Sequence, residues 1–229
     1  MTHQRVDAAA GWKWIVSGWH LFTRSPGLWV VMALLFGIIY FVLSWVPFLG
    51  PLAALVLAPA LFGGMVHGAR ELDQGRSLDI AYLFHGLRDS SLAGAMLVLG
   101  LVPLVAAIVT GVLSVAVIGS AGEPTAGAGL VLFLGALLIG LASGALLLFA
   151  IPRVMQRQAT PMDALTQSAV AVRDNPVAFV MFAATYVMLA IFAAIPLGLG
   201  FLVLLPVIAG AIHCAHREVF GDEPAGATD

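Results

Sequence analysis

Two stretches decide the fold: Pro59–Glu71, PALFGGMVHGARE, and Pro206–Glu218, PVIAGAIHCAHRE. Counted from its proline, each places glycine at +4 (Gly63, Gly210), arginine at +11 (Arg70, Arg217) and glutamate at +12 (Glu71, Glu218). A histidine falls at +8 in one and +7 in the other (His67, His213). Apolar residues come first and charges last, the order of a helix running out of lipid into water. The chain before each stretch matches as well. One copy runs through an amphipathic segment, Arg24-Ser25-Pro26, an apolar run, a turn at Pro47 and the Pro59 helix. The other runs through an amphipathic segment, Arg173-Asp174-Asn175-Pro176, an apolar run, a turn at Pro196 and the Pro206 helix. The segment between them, from Arg88-Asp89 to Pro152-Arg153, reads as a diverged third unit. The expected organisation is a single membrane domain over 1–229: repeat units at 8–75 and 160–221, a middle unit at 77–157, and a short acidic tail at 222–229.

The spacing of charges supplies the span count. No Asp, Glu, Lys or Arg occurs between Arg24 and Arg70, Asp89 and Glu123, Glu123 and Arg153, or Asp174 and Arg217. A spanning helix needs about 20 apolar residues, so the outer gaps each hold two spans and the inner gaps one each. Six spans are expected, near 27–45, 51–69, 91–118, 129–151, 177–195 and 199–215. Lipid leaves backbone groups without outside partners, so each span is a helix and the fold class is all-α. Composition agrees: 61% of the 229 residues are hydrophobic and 10% charged, against about 25% charged in soluble domains.

Orientation follows from the basic residues. Arg5, Lys13, Arg24, Arg70, Arg76, Arg88, Arg153, Arg157, Arg173 and Arg217 all fall on one side of six spans. The opposite turns carry no basic residue and one acid, Glu123. The positive-inside rule then puts both termini in the cytoplasm. No apolar run leading to a small-residue cleavage site opens the chain, so the first helix is expected to be retained.

Three short cytoplasmic helices are expected. Residues 8–24 put Trp12, Ile15, Val16, Trp19 and Phe22 on one face and Lys13, Ser17, His20 and Arg24 on another, the pattern of a helix lying in the interface. Thr160-Pro161-Met162-Asp163 is a capping signature for a helix ending before Asn175-Pro176. Ser77 and Asp79 begin a third, reaching Arg88.

Functional candidates are few. Arg70-Glu71 and Arg217-Glu218 sit where spans meet water: either they anchor the helices, or they converge on one cytoplasmic site for an anionic headgroup or partner helix. His67, His213, Cys214 and His216 are weak metal candidates, because adjacent His-Cys cannot both face one ion on a helix. Pro59, Pro103, Pro152 and Pro206 are expected to curve their helices, and Gly140-x-x-x-Gly144, with Gly63 and Gly210, to pack closely against a helix of the same chain or of a second copy. No acid or base lies at mid-membrane depth, which weakens the case for a coupled ion transporter. No paired carboxylates, HExxH, GxSxG, Walker loop or CxxC occurs, so no catalytic residue and no cofactor is expected. The scattered basic residues form no patch for nucleic acid, and the lone Cys214 makes no intrachain disulfide.

Gly11-Trp12-Lys13-Trp14-Ile15, Gly18-Trp19-His20-Leu21-Phe22, Pro26-Gly27, Leu83-Phe84, Asn175-Pro176 and the Leu199–Pro206 segment resemble a family of proteobacterial membrane proteins, the BPSS-type family membrane proteins. The plan is more distantly similar to YciC-like proteins and to the membrane domain of some glycerophosphodiesterases. The resemblance implies an integral inner-membrane protein and brings no catalytic motif. The expected function is a scaffold or accessory factor for other membrane components, in contact with the bilayer and a membrane-protein partner. A facilitator of a neutral or amphiphilic solute is the alternative.

Overall fold

The computed structural model describes residues 3–121 and 125–221, and these form helices without a strand. Glu123 and the acidic tail 222–229 lie outside the described residues. Six helices are long and apolar enough to cross a membrane: α2 (Pro26–Ser44), α3 (Leu49–Asp73), α5 (Ser90–Ala121), α6 (Ala126–Met155), α8 (Pro176–Ala194) and α9 (Phe201–Phe220). They fall on the six expected stretches. α3, α6 and α9 continue about a turn further than expected and take Arg70, Arg153 and Arg217 into their last turns. Cations suit that position because the helix dipole is negative there.

The shorter elements are α1 (Ala10–Arg24), a 3-10 turn (Ile80–Phe84) leading into α4 (His85–Arg88), and α7 (Pro161–Asp174). α7 starts as expected: Thr160 Oγ1 accepts from Asp163 N, and its hydroxyl donates to the Asp163 carboxylate at 2.6 Å. Pro26 and Pro176 open α2 and α8 at positions whose amide would have no helical partner. The single helix expected up to Arg88 is instead broken in two. Asp79 does cap its start, accepting from Ala81 N at 2.7 Å.

α3, α6 and α9 touch one another and form the inner layer, with α2, α5 and α8 outside them. The short elements follow a cyclic order. The 3-10 turn and α4 lie on α3, α7 lies on α6, and α1 closes the ring by packing on α9 and α8. Backbone meets backbone at these crossings. A Cβ on Gly64 of α3 would stand 2.3 Å from the Leu83 carbonyl oxygen, and one on Gly18 of α1 2.1 Å from that of Val207. On α6 the contact is a hydroxyl: Ser168 donates to Ala145 O at 2.8 Å and accepts from Phe149 N at 3.1 Å.

The fully buried large side chains cluster toward the end where the basic residues gather. They include Trp29, Met32, Leu61, Met65, Leu83, Met96, Leu99 and Phe149. Toward the opposite end the helices present apolar side chains outward, up to Phe48 at 89% and Leu197 at 98% exposure. Apolar surface of this extent has no place in water.

The expected face of α1 needs correction. The face of α1 that packs on the bundle is Gly11, Trp14, Ile15, Gly18, Leu21 and Phe22, while Trp12 and Trp19 are about half exposed, at 51% and 48%. The expected apolar face therefore divides, one side against protein and the other outward. Gly140 and Gly144 have open space where a Cβ would be, so this pair makes no close helix contact within the chain. Gly63 does pack, against Met155 and Ile151 of α6, and Gly210 packs against Gly18.

Candidate functional site at the charged end

The last turns of α3, α6 and α9 bring charge and aromatic rings together. Asp73, at the end of α3, accepts from His213 Nε2 at 3.1 Å and from Arg217 Nη1, both on α9. Glu71 is held by Arg76, whose Nη2 donates to Oε1 at 2.7 Å and whose Nε donates to Oε2. Glu218 accepts from the indole of Trp14 on α1 at 2.6 Å. The two Arg-Glu pairs picked out in the sequence thus do not pair with each other. Their acids tie α3 to the following loop and α9 to α1, and Arg217 turns to Asp73 instead.

A second cluster surrounds His67. Its ring stacks on His85 with centroids 3.9 Å apart and meets Tyr82 edge-on at 5.2 Å, while Glu71 Oε1 is 3.9 Å from its Nε2. Burial, and after it the nearby Arg88, pushes the His85 imidazole below its usual range. A stacked, half-buried imidazole pair is a poor place for added charge.

Phe220 closes α9 and is the hub of a third group. The guanidinium of Arg153, itself 1% exposed, lies 4.5 Å over its ring; His216 stacks on it at 5.4 Å; Phe149 meets it edge-on at 5.4 Å. A buried cation over an aromatic face is stabilised by the ring quadrupole. His216 Nε2 is buried and has no hydrogen-bond partner among the described residues. Sequence reading gave Arg153 no role beyond orientation. The signal that would have found it is the shared last-turn arginine of the inner helices.

The metal candidates do not come together. His213 faces Asp73, His216 faces Phe220, His67 faces His85, and Cys214 is buried with its thiol unpaired in a disulfide. Among the described residues no three His, Cys, Asp or Glu side chains meet in a metal-holding group.

At the same end, a pocket of about 540 Å³ opens beside Ser91, Arg157, Gln158, Thr160 and Asp163. Arg157 holds a positive φ of 56° and pairs with Asp89. That pairing, together with the Ser91 amide, holds the Asp89 carboxyl down to about 2. At the far end of α7, Asn175 fastens the N-terminal segment: its Oδ1 accepts from Val6 N at 2.7 Å, and its Nδ2 donates to Ala171 O at 3.0 Å. His3 Nε2 lies 2.6 Å from Asp174.

Fold and site together define an all-α bundle of six membrane-length helices, sealed at one end by ion pairs and short helices. No protein-family profile, curated protein or solved structure matches the chain.

Proposed function

We propose that this is a non-enzymatic integral protein of a bacterial inner membrane, with its charged end in the cytoplasm, that scaffolds or assists other membrane components. The observation that carries this reading is the packing of the charged-end half, where Trp29, Met32, Met65, Leu83 and Phe149 are almost wholly buried. A polar solute has no lined route through such a plug. The surface left for partners is the ring of α1, α4 and α7 with its outward arginines. Recovery of a stoichiometric partner in mild detergent supports the role; uptake of a polar solute into proteoliposomes holding this chain alone refutes it. A reporter fused after Asp229 is expected to be active in the cytoplasm.

The same proposal includes descent from three hairpin units. Its support is the pair of turns at the uncharged end, where Phe48 and Leu197 each follow a proline and hold φ of 62° and 55°. Beside each turn a glycine presses on the preceding helix, Gly50 on Leu43 and Gly200 on Ala193.

A second reading, a facilitator of an amphiphilic solute, is favoured by one observation. Two apolar cavities of about 400 and 280 Å³ share Gly144 and Leu148 of α6, Tyr186 of α8, and Ile208 and Ile212 of α9, and the smaller one reaches α2, α3 and α5. Apolar walls with a single phenol suit an acyl chain rather than an ion. Transfer of a labelled lipid between leaflets in proteoliposomes without any partner decides for it.

A further inference from the structure

We propose that the groove between α1, α8 and α9 holds one anionic phospholipid, its acyl chain along the helices and its phosphate beside Lys13. The proposal rests on the membrane-spanning reading and adds a ligand to it. The groove has a volume of about 510 Å³, and its walls include Trp12, Val16, Trp19, Leu189, Phe192 and Val203. It exists because α1 is wedged against both α8 and α9, which make few contacts with each other. Gly11 and Gly18 let α1 approach their backbones, and Trp12 and Trp19 are thereby turned outward. From Val207 to Gly200, both in its lining, the groove follows α9 for about 10 Å at 1.5 Å per residue. Gly200 belongs to the turn at the uncharged end, so an acyl chain, about 15 Å long like one leaflet of hydrocarbon, runs in the groove from the Lys13 side toward that end.

Charge commits the occupant. One residue step around the helix from Trp12 and Trp19 stand Lys13 and His20, both exposed, followed by Arg24. α1 contains no acid. Among the described residues Lys13 forms no ion pair, and the nearby carboxylates are turned to other groups, Asp7 to the Ala9 amide, Glu218 to the Trp14 indole and Asp174 to His3. Apolar groove, outward tryptophans and a lysine outside any ion pair thus follow one another in the order tail, interface and phosphate of a lipid.

The test uses the full chain purified in detergent, delipidated, and titrated with phosphatidylglycerol or phosphatidylcholine under native mass spectrometry. One phosphatidylglycerol is expected to remain bound at about fivefold lower concentration than phosphatidylcholine, the preference one basic residue confers near a headgroup. Lys13→Gln is expected to abolish the preference and Lys13→Glu to reverse it. Trp12→Ala with Trp19→Ala is expected to weaken both lipids alike. Lys13 is exposed, so circular dichroism of its variants should match wild type. Equal retention of the two lipids by wild type, or an unchanged preference in Lys13→Gln, overturns the proposal. A chain that stays soluble without detergent overturns the membrane reading instead.

Discussion

Gly18 on α1 faces Val207 on α9 so closely that a Cβ would lie 2.1 Å from the Val207 carbonyl oxygen. The two are 189 positions apart, and their contact joins the first helix to the last. It closes the cyclic order in which each short element rests on an inner helix of another pair. In lipid, where burying apolar surface between helices gains little, such close backbone approach is a main source of cohesion.

Gly18→Ala should therefore lower stability by about 1–3 kcal/mol, the range for overpacking a closed contact. Gly27→Ala, where a Cβ meets nothing within 4 Å, should leave stability unchanged or raise it. Thermal unfolding of both variants in one detergent checks the pair. Equal melting temperatures for the two would mean that α1 is not held as described.

Ser168 inserts its hydroxyl into the α6 ladder between Ala145 O and Phe149 N, and it is fully buried. Pro152, one turn on, removes a further amide from the same helix. Ser168→Ala strips a buried carbonyl and amide of their shared partner and is expected to cost about 1–3 kcal/mol. Hydrogen exchange should show α7 opening more often. A variant with wild-type stability and exchange would refute the role.

Asp73 bridges α3 to His213 and Arg217 of α9. Arg217 is 45% exposed, so solvent screens the pair and the ion-pair coupling stays near 0.5–1 kcal/mol. A cycle of Asp73→Asn, Arg217→Gln and the double variant should return a coupling of that size, shrinking with added salt. Strict additivity would separate the two residues.

His85 is held below its usual imidazole range first by burial and then by Arg88, against the opposing pull of Glu71. The folded state thus prefers the neutral ring. Its contribution is present above the unfolded value of 6.5 and is lost as pH falls from there toward the lowered folded value. Melting temperature should drop between pH 7 and 5, and by less in His85→Gln, which cannot take up the proton. Identical pH profiles would place the acid sensitivity elsewhere.

Replacing Arg70 and Arg217 together by glutamine tests the charged end as a working surface. The proposed scaffold should lose its partner while the protein remains at normal abundance. Wild-type behaviour would leave these arginines as anchors alone.

The six apolar helices were legible because lipid-length runs without charge are a one-dimensional property, and charge spacing delimits them to within a turn. The caps at Thr160 and the proline starts at Pro26 and Pro176 were legible for a similar reason: their partners lie within three or four residues. The partners of Arg217, Glu218 and Glu71 were not. Each lies on another element or loop, which adjacency in the sequence does not reveal.

The order of helices, their length and the gathering of basic residues at one end were determined by the sequence alone, since each is set by local composition against the length scale of a bilayer. Which face of α1 is buried, why Gly18 pairs with Val207 while Gly140 faces open space, and how Trp12, Trp19 and Phe192 come to border one groove were decided only by tertiary structure. A small residue permits close approach, but only the path of the rest of the chain decides whether a second helix arrives there.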